Sequence, residues 1–277
     1  MFELFKAFLF GIVEGITEWL PISSTGHMIL LDQFVKLGVS KDFYSMFEVV
    51  IQLGAILAVV VIYWKRIWPF HYQTNQKGLW KIMDEDIFFM WVKVVIACLP
   101  AVVAAVFNDE FEELFYNPVC VALALIVFGI GFIVIENMHK GSTPKITSIS
   151  QMTYVLVFII GIFQLLAAIF PGTSRSGATI LGALLLGVSR TAAAEFTFFL
   201  AIPVMFGAGI LKLVKFGLVF TNLEIWIMIV GLVTAFVTSI IAIKFLMQYI
   251  KKHDFKVFGW YRIILGILVL AYFFLIK

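Results

Sequence analysis

Long apolar stretches separated by short polar segments make up almost the whole chain. A helix needs about 20 apolar residues to cross a bilayer, and six stretches reach that length. They lie at approximately 43–64, 88–107, 117–137, 193–214, 224–248 and 258–276. The pattern therefore predicts an all-α polytopic membrane protein with six full transmembrane helices.

Two further apolar regions, 2–36 and 153–189, are each interrupted by a polar turn that begins at a proline, Pro21 or Pro171. The apolar segments on either side hold about 12–18 residues, which is short for a span. Irregular backbone inside a membrane must be surrounded by protein or by a water-filled cavity. We therefore expect each region to form a re-entrant helical hairpin.

The two interrupted regions align with each other. Aligned on glycines, they pair Gly11 with Gly161, Glu14 with Gln164, Pro21 with Pro171 and Ser24 with Ser174. After the hairpins, Glu48 and Glu195 are also predicted to match. Each half then holds one hairpin and three spans, and an odd number of spans inverts the second half. The sequence thus predicts a single membrane domain of two inverted repeats, about 1–138 and 150–277, with a site at their interface near the midplane.

Composition agrees with a membrane protein and changes little else. The 277 residues are 62% hydrophobic and 13% charged, and their mean hydropathy is +1.06, whereas soluble domains are roughly 45–50% apolar and about 25% charged. The expected environment is the lipid bilayer, with no nucleic-acid partner. Cys98 and Cys120 lie in apolar stretches without zinc or redox spacing, so we interpret them as small buried hydrophobic residues.

The distribution of lysine and arginine predicts the orientation. The loops at 65–86, 138–152 and 249–257 are basic and are expected to be cytoplasmic, and Lys77 and Lys81 belong to the first of them. The acidic 108–116 loop then lies outside, the first hairpin opens outward, and both termini are outside. Lys212 and Lys215 count against this orientation. The N-terminal apolar run has no basic start and is interrupted by carboxylates, so it is not expected to be a cleaved signal peptide.

Glu14 and Glu18 stand one helical turn apart, so they share one face of the first helix. Ionisable residues within a membrane-embedded helix are costly and indicate function. Paired carboxylates suit a hard divalent cation, Mg²⁺ or Ca²⁺. The alternative is a pair that lies at the outer mouth, solvated or bound to lysine.

The first polar turn combines hydroxyls with a histidine. A helix that starts near Gly26 would present free amide N–H groups, which favour phosphate. His27 could act as a general acid, a general base or a nucleophile. The candidate phosphate-binding residues here are Ser23, Thr25 and Gly26, and the candidate catalytic residues are Ser24 and His27. Ordinary helix capping by the serines is the alternative.

The second polar turn carries Arg175, whose planar fork matches phosphate oxygens. The hydroxyls around it are candidates for the same phosphate: Thr173, Ser174, Ser176 and Thr179. The alternative is a structural arginine that pairs with Glu14 or Glu18 across the repeat. Glu48, Gln52 and Glu195 either line the same cavity or serve packing alone.

These motifs resemble a known family. The segments EGITEWLPISSTGH at 14–27, FEVVIQLG at 47–54 and PGTSRSGAT at 171–179 resemble undecaprenyl-diphosphatases of the bacitracin-resistance type. The resemblance covers the whole chain in length, hydropathy and motif order. The departure from the motif is Trp19, where an aromatic residue such as phenylalanine is more usual.

The resemblance implies removal of the terminal phosphate from undecaprenyl diphosphate in a bacterial plasma membrane, with a divalent-metal requirement. By motif position it places the family's glutamate pair on Glu14 and Glu18, its serine on Ser24, its histidine on His27 and its arginine on Arg175. The attacking group is left open among Ser24, His27 and a metal-bound water. A homodimer is left open as the oligomeric state.

Inverted repeats with broken helices are also typical of transporters. A secondary transporter or a flippase for a phosphorylated lipid is therefore the alternative function. Carboxylates, hydroxyls and a histidine concentrated in one half favour the hydrolase. A purely structural membrane anchor would leave both polar turns unexplained.

Overall fold

The computed structural model describes residues 1–70, 78–217 and 219–275. These ranges contain eleven α-helices and no strand beyond isolated bridges. The helices are α1 Phe2–Thr17, α2 Ser24–Phe34, α3 Lys41–Ile67, α4 Glu85–Val106, α5 Asn108–Phe115, α6 Pro118–Met138, α7 Tyr154–Ile169, α8 Arg175–Leu185, α9 Arg190–Phe216, α10 Asn222–Tyr249 and α11 Lys256–Leu275. Six of them, α3, α4, α6, α9, α10 and α11, are long and apolar enough to cross a membrane. The predicted all-α architecture with six spans is confirmed.

The segment predicted as an acidic loop at 108–116 is instead largely helical, since α5 occupies it. Phe111 and Phe115 lie one turn apart, and the Phe115 ring packs against Phe170 at a centroid distance of 4.9 Å. Apolar residues at helical spacing therefore outweigh the polar composition of the segment. The side chains of Asp109 and Glu112, and the whole of Lys77 in the predicted cytoplasmic loop, lie outside the described residues.

The two halves match in helix length and in helix caps. Helices α1 and α7 have 16 residues each, α2 and α8 have 11 each, and α3 and α9 have 27 each. Ser23 and Ser174, with φ of 75° and 70°, are the N-caps of α2 and α8. The predicted pairing of Ser24 with Ser174 is therefore wrong by one residue, because the turns differ in length. Ser24 corresponds instead to Arg175, and both are the first residues of their helices.

The helices also pair across the halves in corresponding ways. Helix α1 packs on α10 and α7 packs on α4, while α3 contacts α9 and α6 contacts α11. Glycines permit the first two contacts: a Cβ on Gly11 would stand 2.7 Å from the Gly231 carbonyl, and one on Gly161 would collide with the Ala97 carbonyl. These contacts are compatible with the predicted repeats and hairpins, and the inversion across the membrane stays a prediction.

Candidate functional site

The two polar turns begin where α1 and α7 end. Helix α1 ends at Thr17 and α7 ends at Ile169, and Pro21 and Pro171 cannot donate the hydrogen bond that a continuing helix requires. Ser23 and Ser174 then accept hydrogen bonds from the amides of Gly26 and Gly177, the third residues of the helices that follow. The caps start α2 at Ser24, rather than near Gly26, and α8 at Arg175.

The first residues of α2 and α8 meet at one carboxylate. Ser24 Oγ donates to Glu18 Oε2 at 2.7 Å, and Arg175 Nη2 donates to Glu18 Oε1 at 2.7 Å. Glu18 is only 6% exposed. The predicted contact between the two halves is therefore present, in the form of the ion pair that the sequence left open as an alternative.

The hydroxyls of the second turn are engaged inside the protein. Ser176 Oγ donates to the Glu18 carbonyl at 2.9 Å, and Ser174 Oγ lies 3.2 Å from Ser176 Oγ. Thr179 Oγ1 donates to the Arg175 carbonyl, whereas the buried Thr173 Oγ1 has no hydrogen-bond partner. The Ser176 hydroxyl thus ties α8 to the end of α1, and the Thr179 hydroxyl bonds to the first residue of α8.

Glu14 lies at the edge of a polar cavity of about 880 Å³. Ser24, Thr25, Glu48 and Gln52 line the same cavity, so these predicted residues come together. Glu14 is 1% exposed, and its Oε1 atom has no hydrogen-bond partner. A buried carboxylate oxygen without a donor is costly, which leaves Glu14 suited to an additional cation.

The donor set fits a divalent cation of the predicted kind. Mg²⁺ is commonly held by one or two carboxylates, with water and substrate phosphates completing its shell. Glu14 and Glu18 would supply the two carboxylates. Within the described ranges, no cluster of three or more histidine, cysteine, aspartate or glutamate side chains could hold a metal ion by itself. A cation here would therefore depend on the substrate's oxygens.

His27 makes contacts other than the predicted ones. Its Nδ1 lies 2.7 Å from the Ser23 carbonyl, which can only accept, so Nδ1 carries the proton. Its Nε2 lies 2.6 Å from Tyr261 Oη and accepts from it in the neutral ring. Both ring nitrogens are thus occupied, and His27 lines an apolar groove with Tyr261 rather than the cavity beside Glu14.

Glu195 does not correspond to Glu48. The caps Ser40 and Ser189 start α3 and α9 with nearly the same backbone angles, and counting from them pairs Glu48 with Thr197. The predicted match was therefore wrong. Glu195 instead accepts from Arg66 through both carboxylate oxygens, at 2.6 Å and 2.9 Å.

Tyr261 and Arg262 on α11 were missed by the sequence interpretation. Arg262 is fully buried and donates to backbone carbonyls of both turns. An arginine inside an otherwise apolar span was the signal that could have identified it.

Comparison with known proteins identifies the family of the chain. The sequence profile described as "Bacitracin resistance protein BacA" matches residues 7–268. The chain belongs to this family. Relatives named undecaprenyl-diphosphatase come from Desulfitobacterium hafniense, 63% identical over 98% of this chain and 96% of the relative, and Enterococcus faecalis, 55% identical over 97% and 96%. Undecaprenyl-diphosphatase 1 of Clostridium acetobutylicum is 60% identical over 99% of this chain and 98% of its own length. The family places this chain among multi-pass membrane proteins, as its six apolar helices do.

Proposed function

We propose that the chain hydrolyses undecaprenyl diphosphate to undecaprenyl phosphate and inorganic phosphate. This reaction returns the lipid carrier to cell-wall polymer synthesis and confers bacitracin resistance. The names of the family and of its relatives support the activity. The observation that carries the proposal is the meeting of Ser24 and Arg175 on Glu18.

The arrangement provides both a phosphate-binding group and a nucleophile. Arg175, at the first turn of α8, donates through Nη1 to the Thr197 carbonyl and through Nη2 to Glu18, and the other N–H groups of its guanidinium can meet the phosphate oxygens. The N-terminal amides of α2 and α8 favour the same anion. Diphosphate cleavage depends mainly on such positioning and on charge stabilisation.

We assign the attack to Ser24, with Glu18 as the proton acceptor. Ser24 Oγ already donates to Glu18 Oε2, whereas both nitrogens of His27 are occupied. The Oγ–P bond to the terminal phosphorus forms as the bridging P–O bond breaks, and undecaprenyl phosphate leaves. Water then hydrolyses the phosphoserine and releases inorganic phosphate. This assignment gives Glu18 the base role, which the sequence left open to His27 as one of three roles.

Glu14 and Glu18 would hold the divalent cation, Mg²⁺ or Ca²⁺. When bound, the cation neutralises phosphate charge and helps to hold the diphosphate in place. The unpartnered Glu14 Oε1 is the support for this part of the proposal.

The site is proposed to open to the outer face of a bacterial plasma membrane. Lys212, which counted against the predicted orientation, lines the polar cavity and donates to Ser45 Oγ at 3.2 Å. Its position is therefore explained by the cavity rather than by a cytoplasmic loop. A lysine at the mouth would attract an anionic headgroup from that side. The homodimer stays a prediction.

Phosphate release by the purified protein in detergent tests the function. A hydrolase releases phosphate from undecaprenyl diphosphate without sealed compartments, whereas a transporter or flippase moves an intact lipid between them. The proposal requires release that scales with the amount of folded protein. Its absence, with intact lipid crossing the bilayer of reconstituted vesicles, would instead establish the transporter.

Removal of divalent cations is expected to abolish the release, and Mg²⁺ or Ca²⁺ to restore it. Glu14→Gln should lower kcat by about 10²-fold, because one group that holds the cation is lost. Phosphate release measured against added cation checks both statements. Gln52→Ala, which changes the same cavity without removing a carboxylate, should leave the dependence on cation concentration in place. Near-normal cation-dependent turnover in Glu14→Gln would contradict the metal role.

A further inference from the structure

We propose that Arg262 is a positioning residue that sets both polar turns in register, so that Ser24 and Arg175 meet at Glu18. The inference rests on the proposed function and deepens it. Arg262 lies on α11, in the span at the C-terminal end of the second half. Its side chain is fully buried and, after Trp19, is the largest fully buried one in the described chain.

The hydrogen bonds of Arg262 join the two halves. Nη1 donates to the Pro21 carbonyl at 3.2 Å, in the first turn. Nη2 donates to the carbonyls of Gly172 and Thr173 at 3.0 Å and 2.7 Å, in the second turn. A third contact, from Nε to the Leu125 carbonyl on α6, is longer at 3.5 Å. One planar group thus fixes the distance between the two breaks.

The acceptors explain why a cation is needed at this point. Breaking a helix leaves carbonyls without intrahelical donors, and inside a membrane such groups must be satisfied by the protein. Pro21 lies beyond the end of α1, and Gly172 and Thr173 lie beyond the end of α7, so the guanidinium donates to turn carbonyls that neither helix satisfies. Every acceptor of Arg262 in the described chain is a backbone carbonyl.

The held carbonyls lie two or three residues before the reacting residues. Thr173 precedes the cap Ser174 and then Arg175, and Pro21 lies shortly before the cap Ser23 and then Ser24. A shift of either turn would therefore move a group that contacts Glu18. Displacements of about 1 Å at a reacting centre can cost about 10²-fold in rate.

Lysine cannot replace this arginine. A lysine ammonium is a point donor on a flexible stem, whereas the guanidinium presents donors on several edges of one plane. In Arg262→Lys, we expect the ammonium to donate to the carbonyls of one turn and to leave those of the other turn without a donor. kcat per folded molecule should fall by about 10²-fold.

Non-additivity with Arg175 separates positioning from general stability. If Arg262 acts by placing Arg175 as well as Ser24, its replacement should cost less in protein that already carries Arg175→Lys than in wild type. A purely structural role predicts a lower melting temperature, normal kcat in the folded fraction, and additive costs.

Lys93 supplies the matched control. Its ammonium is buried and donates to the backbone carbonyls of Ile149 and Ser150, at 2.9 Å and 2.8 Å, away from both turns. Lys93→Met should lower the melting temperature and leave kcat unchanged.

Gly177→Ala provides a milder change if Arg262→Lys does not fold. A Cβ on Gly177 would stand 2.7 Å from Arg262 Nη1, so the alanine pushes the guanidinium without removing it. We expect kcat to fall by about 10-fold, which is less than the fall expected for Arg262→Lys. Gly182→Ala, where a Cβ would stand 2.6 Å from the Phe163 side chain, is its control on α8.

The experiment measures kcat, KM and melting temperature for undecaprenyl diphosphate in detergent, together with binding of a non-hydrolysable methylene-bridged analogue. The proposal predicts lower kcat and weaker analogue binding in Arg262→Lys or Gly177→Ala, and neither change in Lys93→Met. Normal kcat and analogue binding in both test variants would overturn it. A wild-type protein that binds the analogue but releases no phosphate would instead contradict the proposed function, and binding would still report on Arg262.

Discussion

Glu18→Gln is expected to lower kcat by about 10³-fold, the middle of the range for loss of a positioned general base. The amide keeps the size of the side chain but loses the charge that holds Arg175 and the basic oxygen that Ser24 contacts. The NH₂ group of the glutamine would also face either the Ser24 hydroxyl or the Arg175 guanidinium, and both of these groups are donors to Glu18. The measurement is kcat for phosphate release from undecaprenyl diphosphate, at saturating cation.

Glu136 is the control for that substitution. It is also a buried glutamate, paired with Arg190 and accepting from the Phe255 amide at 3.0 Å, but it lies outside both turns. Glu136→Gln should reduce thermal stability and leave kcat per folded molecule near wild type. A Glu18→Gln enzyme that turns over within threefold of wild type would remove Glu18 from the reaction.

Ser24→Ala is expected to abolish turnover, with a loss of at least about 10³-fold, because the attacking oxygen is gone. Binding of the methylene-bridged analogue should persist, since Arg175 and the helix N-termini remain. Rapid acid quenching of the wild-type protein should trap phosphate on Ser24. If Ser24→Ala retains more than a few per cent of the rate, the attack passes to a metal-bound water or to His27.

The helices were largely predictable because membrane burial imposes a simple rule on sequence. An uninterrupted apolar stretch of sufficient length forms a spanning helix because the membrane leaves few other structures possible. All six predicted spans are present. Helix α5 was missed because its polar composition suggested a loop, whereas its phenylalanines pack at helical spacing. The predicted repeat is compatible with the structure, but its predicted register at the two turns was wrong. Prolines aligned the two turns, whereas the serine caps show that one turn is longer.

The residues of the candidate site were easier to predict from the sequence than the contacts that these residues make. Buried charge in a membrane helix is rare, so Glu14, Glu18 and Arg175 could be identified as charged residues within apolar regions of the sequence. The orientation of His27 depends on Tyr261, which comes from a helix distant in sequence. Likewise, Arg262 serves carbonyl groups, which every residue has and which leave no pattern in the sequence.

The exchange of Ser24 for Arg175 between otherwise similar turns explains why the two halves differ in chemistry. Both residues follow a serine cap with positive φ, and both donate to Glu18. The same backbone device therefore presents the proposed nucleophile in one half and the proposed phosphate-binding cation in the other. Neither half alone holds both groups.

The most direct test of this shared site is the kcat/KM of Arg175→Lys, measured beside Arg66→Lys. Each arginine pairs with a glutamate of the other half, Arg66 with Glu195 and Arg175 with Glu18, but only Arg175 lies at a turn. Lysine keeps the charge and loses the fork. The account predicts that Arg175→Lys lowers kcat/KM by about 10²-fold or more, on the scale of one lost electrostatic group, while Arg66→Lys stays near wild type. Equal, near-normal values for the two variants would contradict a site built from both halves.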